Sequence, residues 1–167
     1  MDSFIEKIVV KKRTAKDSLI ITGVVLGGLV LFFVLQLIPF LRPFFIVIVA
    51  ALVYFIYQFV ISRNIEFEYI VTNGDLDIDK IIAQRRRKRI FSANCKDFDM
   101  VSRLKGGNND RRIQDIKNRI EAVSSMDSEN VFFATLLYKG EKTAVFFEPD
   151  EKMLNSFKTF IPRKMEI

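Results

Sequence analysis

The most concentrated charge in this chain is a run of five consecutive cations that begins at Arg85. Close to a bilayer, clustered Arg and Lys side chains attract anionic lipid head groups. A solvated basic hairpin is the alternative, with Asp75, Asp77 and Asp79 on the preceding predicted strand neutralising part of the charge. Nucleic acid is a weaker explanation, because no aromatic residues alternate with the cations to stack on bases. The candidate lipid-binding residues are therefore Arg85, Arg86, Arg87, Lys88 and Arg89.

Metal binding has little support in the sequence. The aspartates at 75, 77 and 79 begin like an EF-hand loop, but Lys80 and Arg86 stand where that loop needs a glycine and a bidentate glutamate. The chain has no histidine and a single cysteine, Cys95, so Cys/His zinc patterns cannot be formed. The same cysteine has no partner for an internal disulfide, which fits a reducing compartment. We expect no metal and no cofactor.

The usual arrangements of catalytic residues are also missing. Cys95 has no histidine to activate it, and no serine lies in a G-x-S-x-G context. Gly106-Gly107 is not followed by the lysine and hydroxyl residue of a phosphate-binding loop. The sequence therefore favours a protein that acts by binding rather than by catalysis.

Two apolar blocks, 18–41 and 43–62, precede the cations, with Arg42 the only charge between Asp17 and Arg63. Each is about as long as a helix needs to be to cross a bilayer. The segment from Pro39 to Pro43 is long enough only for a tight turn. We predict a transmembrane hairpin with spans at 18–38 and 43–62, and its first apolar stretch is longer than that of a cleaved signal peptide.

Cations near the membrane ends predict the orientation. Five of them precede the first span, Arg63 follows the second, and only Arg42 lies in the turn. Cytoplasmic flanks carry the excess of Lys and Arg, so both termini are expected in the cytoplasm. The net charge of +6 then faces the anionic inner leaflet.

Two further patterns near the hairpin have alternative interpretations. Apolar residues between Phe4 and Val9 recur at helical spacing, which indicates either an amphipathic interfacial helix or a short helix or arm packed on the soluble domain. Gly23 and Gly27 form a G-x-x-x-G pattern, which permits close helix contact. We favour packing within the hairpin against Tyr54, Phe55 and Tyr57 over dimerisation, because the turn already holds the two helices together.

The period changes to two after Arg63, which indicates β-strands. A strand from Ile65 leads to Asn73-Gly74, a type I′ hairpin signal, and then to a second strand. A turn near Gln84 should lead to a third strand through Phe91, followed by a short strand over 98–104 and a loop over 105–110. Residues 113–125 are interpreted as a loop or short helix to about residue 118 and then a strand, although one helical face is an alternative. Two further strands, 131–138 and 142–148, should form a hairpin.

The chain ends in a predicted amphipathic helix. Acidic residues follow Pro149 at its start, Pro162 stops it, and five apolar side chains share one face: Met153, Leu154, Phe157, Phe160 and Ile161. We expect Phe157 at the centre of that face.

This order of elements, together with F-E-Y-I-V-T-N-G-D-L-D-I-D-K at 67–80 and F-E-P-D-E-K-M-L at 147–154, resembles a family of bacterial two-span membrane proteins with a pleckstrin-homology-like (PH-like) cytoplasmic domain. The resemblance implies a fold and a membrane location but no particular activity. The expected fold is a membrane α-helical hairpin followed by an α+β, mostly antiparallel β, PH-like barrel capped by a C-terminal helix. Its divisions would be an N-terminal amphipathic segment (1–17), the hairpin (18–62) and the PH-like domain (63–167). Anionic lipid is one expected partner, and an unidentified membrane protein is the alternative.

Overall fold

The structure is a computed structural model that describes residues 4–104 and 113–166. Its helices are α1 (Ala15–Gln36), α2 (Phe45–Ser62) and α3 (Glu151–Phe160), with 3-10 turns at Pro39–Phe44, Cys95–Asp97 and Pro162–Lys164. The strands are β1 (Phe4–Val10), β2 (Ile65–Thr72), β3 (Asp75–Ile82), β4 (Arg86–Asn94), β5 (Phe98–Arg103), β6 (Asn118–Glu121), β7 (Phe132–Tyr138), β8 (Glu141–Phe147) and β9 (Met165–Glu166). The chain divides into two units: a helical pair over 12–64, and a β-rich unit formed by the first strand and the chain from residue 65 onward.

In the helical pair, a capping box begins α1 and a glycine of α1 contacts α2. The Thr14 hydroxyl and the Asp17 carboxylate cap the first turn of α1 reciprocally. A Cβ added at Gly28 would lie 2.8 Å from Ile56 Cδ1, whereas one added at Gly23 or Gly27 would meet nothing within 4 Å. The predicted packing of Gly23 and Gly27 within the hairpin is therefore wrong, because Gly28 is the glycine that faces α2.

The β-rich unit contains two sheets. One has the order β1-β2-β3-β4 and is antiparallel throughout, and the other has the order β6-β8-β7-β5-β9. Both sheets and α3 contribute to one apolar core, and a smaller cluster lies between the second sheet and residues 113–131. This confirms the predicted fold class of two N-terminal helices, antiparallel-rich sheets and a C-terminal helix. The loop predicted for 105–110 lies outside the described residues.

Turn residues account for the hairpins. Asn73 and Gly74 have φ of +51° and +90°, as a type I′ turn requires. Lys139 and Gly140 repeat this at +52° and +84° between β7 and β8. Each turn fixes the register of its hairpin, and β2 and β3 are paired from Thr72 and Asp75 outward.

The N-terminal segment differs from the prediction. Residues 4–10 form a strand that pairs antiparallel with β2, so the helix predicted there is wrong and the alternative of an arm on the soluble domain describes it better. Val9 is buried in the main core, and Lys7 Nζ donates to the Glu148 carbonyl oxygen at 2.8 Å. The β-rich unit therefore begins before the helical pair, not at residue 63 as the predicted division had it.

The C-terminal helix agrees with the prediction. Asp150 caps its N-terminus, with Oδ1 accepting from the Met153 N–H at 2.8 Å. Phe157 is fully buried, and its ring makes edge contacts with Phe98 at 6.3 Å and Phe147 at 6.1 Å between centroids. The helix thus packs on the main core, to which both sheets contribute.

Candidate functional site

The five cations lie on the hairpin between β3 and β4. Arg85 closes the turn, in which Ala83 and Gln84 both have φ of +55°, and the next four residues begin β4. All five side chains are exposed, and β4 is an edge strand of its sheet. Charged side chains on an edge also disfavour pairing with other strands, so exposure alone does not assign them a ligand.

A β-bulge divides the run between two faces. The register shifts between Ile78 and Asp79, which leaves Ile90 as an extra residue in β4. A regular strand would place Arg87 and Arg89 on the same face as the buried Phe91. The bulge instead turns them to the outer face of the sheet, and it turns Arg86 and Lys88 to the opposite face.

Carboxylates hold both outer-face arginines. Arg89 donates from Nε to Asp79 Oδ1 at 2.7 Å and from Nη1 to Asp77 Oδ2 at 2.6 Å. Arg87 donates from Nη2 to Glu68 Oε1 at 3.0 Å, and its Nη1 lies 2.9 Å from Oε2. The hydrogen bond with Asp79 raises the pKa of Arg89. Bidentate pairs of this kind are strong and directional, so these two arginines have structural partners.

Glu68 is the most buried carboxylate of this network, with 2% of its surface exposed. It lies directly opposite Asp79 on β3, and Glu6 on β1 lies close enough to share a hydrogen bond. Burial raises the pKa of Glu68, the hydrogen bond with Glu6 adds to that effect, and Arg87 opposes it. Arg87 is therefore the cation that stabilises the ionised form of the buried Glu68 carboxylate.

The other three members of the run differ from Arg87 and Arg89. Among the residues that the structure describes, no acidic side chain lies within ion-pair distance of Arg85, Arg86 or Lys88. Lys88 lies directly opposite Lys80, a partly buried cation that the sequence prediction missed. A hairpin centred on Gln84 pairs these two lysines, so the predicted turn contained the necessary signal.

The register also locates the hairpin within the sheet. Ile65 pairs with Ile82, Ile82 pairs with Arg86, and the Lys11 N–H donates to the Ile65 carbonyl oxygen at 2.9 Å. The turn that carries Arg85 therefore lies at the sheet end where the chain leaves β1 and enters β2. Both of those connections lead directly to the apolar helices, through residues 11–14 and 63–64.

The aspartates on β3 are engaged in the sheet. Asp75 accepts from Asn94 Nδ2 at 2.6 Å, and Asp77 accepts from Ser92 Oγ at 2.6 Å as well as from Arg89. Asp79 is only 4% exposed, although it lies on the outer face of the sheet with Arg89. Within the described ranges, no group of three or more potential ligands is placed to hold a metal ion.

Cys95 lies in the core beside the first hairpin turn. Its N–H donates to the Gly74 carbonyl oxygen at 2.8 Å, and its side chain is fully buried. Burial raises the pKa of the thiol, which keeps it protonated and unreactive at neutral pH. The residue therefore packs in the core.

The sequence model of one family matches residues 1–167; its description is Bacterial PH-like domain (DUF6106). The chain belongs to this family. No curated protein and no solved structure matches this bacterial PH-like protein significantly. Its two apolar helical segments, Ala15–Gln36 and Pro39–Ser62, have mean hydropathies of 2.7 and 2.6, and neither is buried within the structure. A core helix of a soluble protein would be mostly buried, so these helices indicate membrane association.

Proposed function

We propose that this bacterial PH-like protein is a non-enzymatic, multi-pass protein of the inner membrane, with both termini in the cytoplasm. Its β-rich unit would dock on anionic lipid of the cytoplasmic leaflet through Arg85, Arg86 and Lys88. The position of the basic turn carries this proposal, because the turn lies at the same sheet end as both connections to the apolar helices. Cations near an anionic surface contribute about 1 kcal/mol each.

We divide the five candidate cations by role, because their described ion pairs differ. Arg87 and Arg89 already pair with Glu68, Asp77 and Asp79, so releasing them to lipid would leave buried carboxylates without partners. Arg85, Arg86 and Lys88 can meet a head group without breaking a described ion pair. We therefore assign docking to these three and a structural role to the other two.

Lysine acetylation of the full chain in bilayer nanodiscs tests the docking. Acetylation of Lys88 should be slower in nanodiscs with phosphatidylglycerol than in neutral ones, and high salt should abolish the difference. Lys139, on the β7–β8 turn, serves as the internal reference. The double variant Arg85→Gln/Arg86→Gln should weaken docking about 30-fold, if each cation contributes about 1 kcal/mol.

The matched control is Lys142→Gln/Lys152→Gln, which removes the same charge from exposed positions elsewhere on the unit. It should leave the protection of Lys88 nearly unchanged. Equal losses in the two double variants would mean that net charge, rather than the hairpin, determines docking. Equal acetylation in neutral and anionic nanodiscs would reject lipid docking altogether.

Reporter fusions test the proposed orientation. A reporter that is active only outside the cytoplasm should be active after Arg42, in the turn between the helices, and inactive after Ile167. The reverse pattern would invert the topology. Activity at both positions would show that the two helices do not form a hairpin across the membrane.

A protein partner is the second candidate. β1 is the other edge of its sheet, and Phe4, Ile8 and Val10 on its outer face are 64%, 51% and 60% exposed. An exposed edge with apolar side chains can accept a strand from another protein. Crosslinking of the full chain at β1 that persists at high salt and is lost in Ile8→Lys would favour this candidate.

A further inference from the structure

The face of the hairpin that carries Lys80, Arg86 and Lys88 has an unusual charge arrangement. Lys80 and Lys88 are directly opposite each other in the β3–β4 ladder, where side chains are about 5 Å apart at Cβ. Arg86 lies two residues from Lys88 on the same face, opposite Ile82. Like charges that face each other across a ladder destabilise it, so this pair has a cost in the free protein.

On the outer face of the same hairpin, the cations are paired with acids. Each of its two arginines has a carboxylate within 3.0 Å. In the described part of the chain, no acid lies within ion-pair distance of Lys80, Arg86 or Lys88. The two facing lysines therefore have no described acid to balance their charge, and one anion could contact both.

We infer that Lys80, Lys88 and Arg86 bind a phosphate monoester. This rests on the proposed function and names the head-group chemistry of its surface. A phosphate monoester carries close to two negative charges at neutral pH and has three terminal oxygens. One such group can bridge both ammonium groups and accept two hydrogen bonds from the guanidinium. A phosphodiester head group, with one charge, can balance only one lysine.

The monoester can come from a lipid such as phosphatidic acid or from a soluble metabolite, and the experiment separates these sources. Full-length protein is placed in neutral nanodiscs, in nanodiscs with phosphatidic acid, and in nanodiscs with phosphatidylglycerol at matched surface charge. Neutral nanodiscs also receive glycerol 3-phosphate or, as the diester control, dimethyl phosphate. The acetylation rates of Lys80 and Lys88 are measured against Lys139.

Phosphatidic acid should slow acetylation of both lysines about tenfold more than phosphatidylglycerol, the effect of one additional charge-assisted hydrogen bond. Arg86→Gln keeps both reporting lysines and should lower this preference. Lys80→Gln, read at Lys88, should abolish the preference while leaving the salt-sensitive protection by phosphatidylglycerol. Lys142→Gln is the matched control and should keep the full preference.

Each result has a distinct meaning. Protection by glycerol 3-phosphate as strong as that by phosphatidic acid supports the site and assigns it to a soluble monoester. Equal protection by the two lipids, with Lys80→Gln behaving like Lys142→Gln, overturns the monoester site but leaves docking on anionic lipid intact. No protection by any anion overturns both proposals.

Discussion

The closing helix α3 and the basic hairpin β3–β4 belong to one folded unit but are stabilised by different forces. Phe157 on α3 is fully buried and contacts two other aromatic rings, so its contribution comes from packing and apolar burial. The hairpin depends on charges whose energies vary with pH and salt. Within it, Arg87 forms an ion pair with the buried carboxylate of Glu68, whereas Arg86 has no ion-pair partner among the described residues. Variants of α3 therefore test the fold, and variants of the hairpin separate stability from binding.

Stability is best measured on the β-rich unit without its helices. Cutting the chain at Asn64 would remove β1 and expose the core beside Val9. The hydrogen bond between Lys11 and Ile65 shows that the end of β1 and the start of β2 are adjacent. An Asn-Gly turn can replace residues 12–64 and join β1 to β2 as a hairpin. This helix-deleted variant, which lacks α1 and α2 but keeps the β3–β4 hairpin, is the parent for the predictions below.

The largest effect on stability is expected at Phe157, the buried aromatic residue of α3. Phe157→Ala should lower the free energy of unfolding by about 3–5 kcal/mol, because it removes an aromatic ring from a packed core. Denaturant unfolding of the helix-deleted variant measures this change. The exposed neighbour provides the control, and Lys158→Ala should change stability by less than about 0.5 kcal/mol. If Phe157→Ala were as mild, α3 would not close the core as described.

Sequence patterns predicted α3 because its signals are local: a capping acid, one apolar face and a terminal proline. They failed at β1 because Lys7 occupies the inward row between Ile5 and Val9 and interrupts the alternation of a strand. The contact that accommodates Lys7, its hydrogen bond to the Glu148 carbonyl, joins residues far apart in the chain. No local pattern reports such a contact.

The candidate site was predictable only in part, for a related reason. The run of cations and the turn near Gln84 were visible in the sequence. The bulge at Ile90 was not, and it determines which cations face the acids. Regular alternation would have placed Arg87 and Arg89 on the core side of the sheet, where Lys80, Arg86 and Lys88 lie instead.

An intermediate effect should distinguish the two kinds of cation within the hairpin. Arg87→Gln leaves the Glu68 carboxylate buried without its cation, which should cost about 1–3 kcal/mol of unfolding free energy. Arg86→Gln should change stability by less than about 0.5 kcal/mol, since it breaks no described ion pair. Unfolding at low and high salt measures both. Equal costs for the two variants would remove the division of roles on which the docking assignment rests.

The smallest effect concerns the pH dependence of stability. The pKa of Glu68 is raised in the folded protein, chiefly by burial, so the folded state holds this proton more tightly than the unfolded chain. Stability from this group is therefore highest below the usual glutamate pKa and falls as pH rises through the raised value. Glu68→Gln removes the titration. Its stability relative to the helix-deleted parent should improve as pH rises above the usual glutamate pKa of about 4.3. If the Glu68→Gln and parent curves were parallel, the attraction of Arg87 would fully offset the effect of burial on the Glu68 pKa.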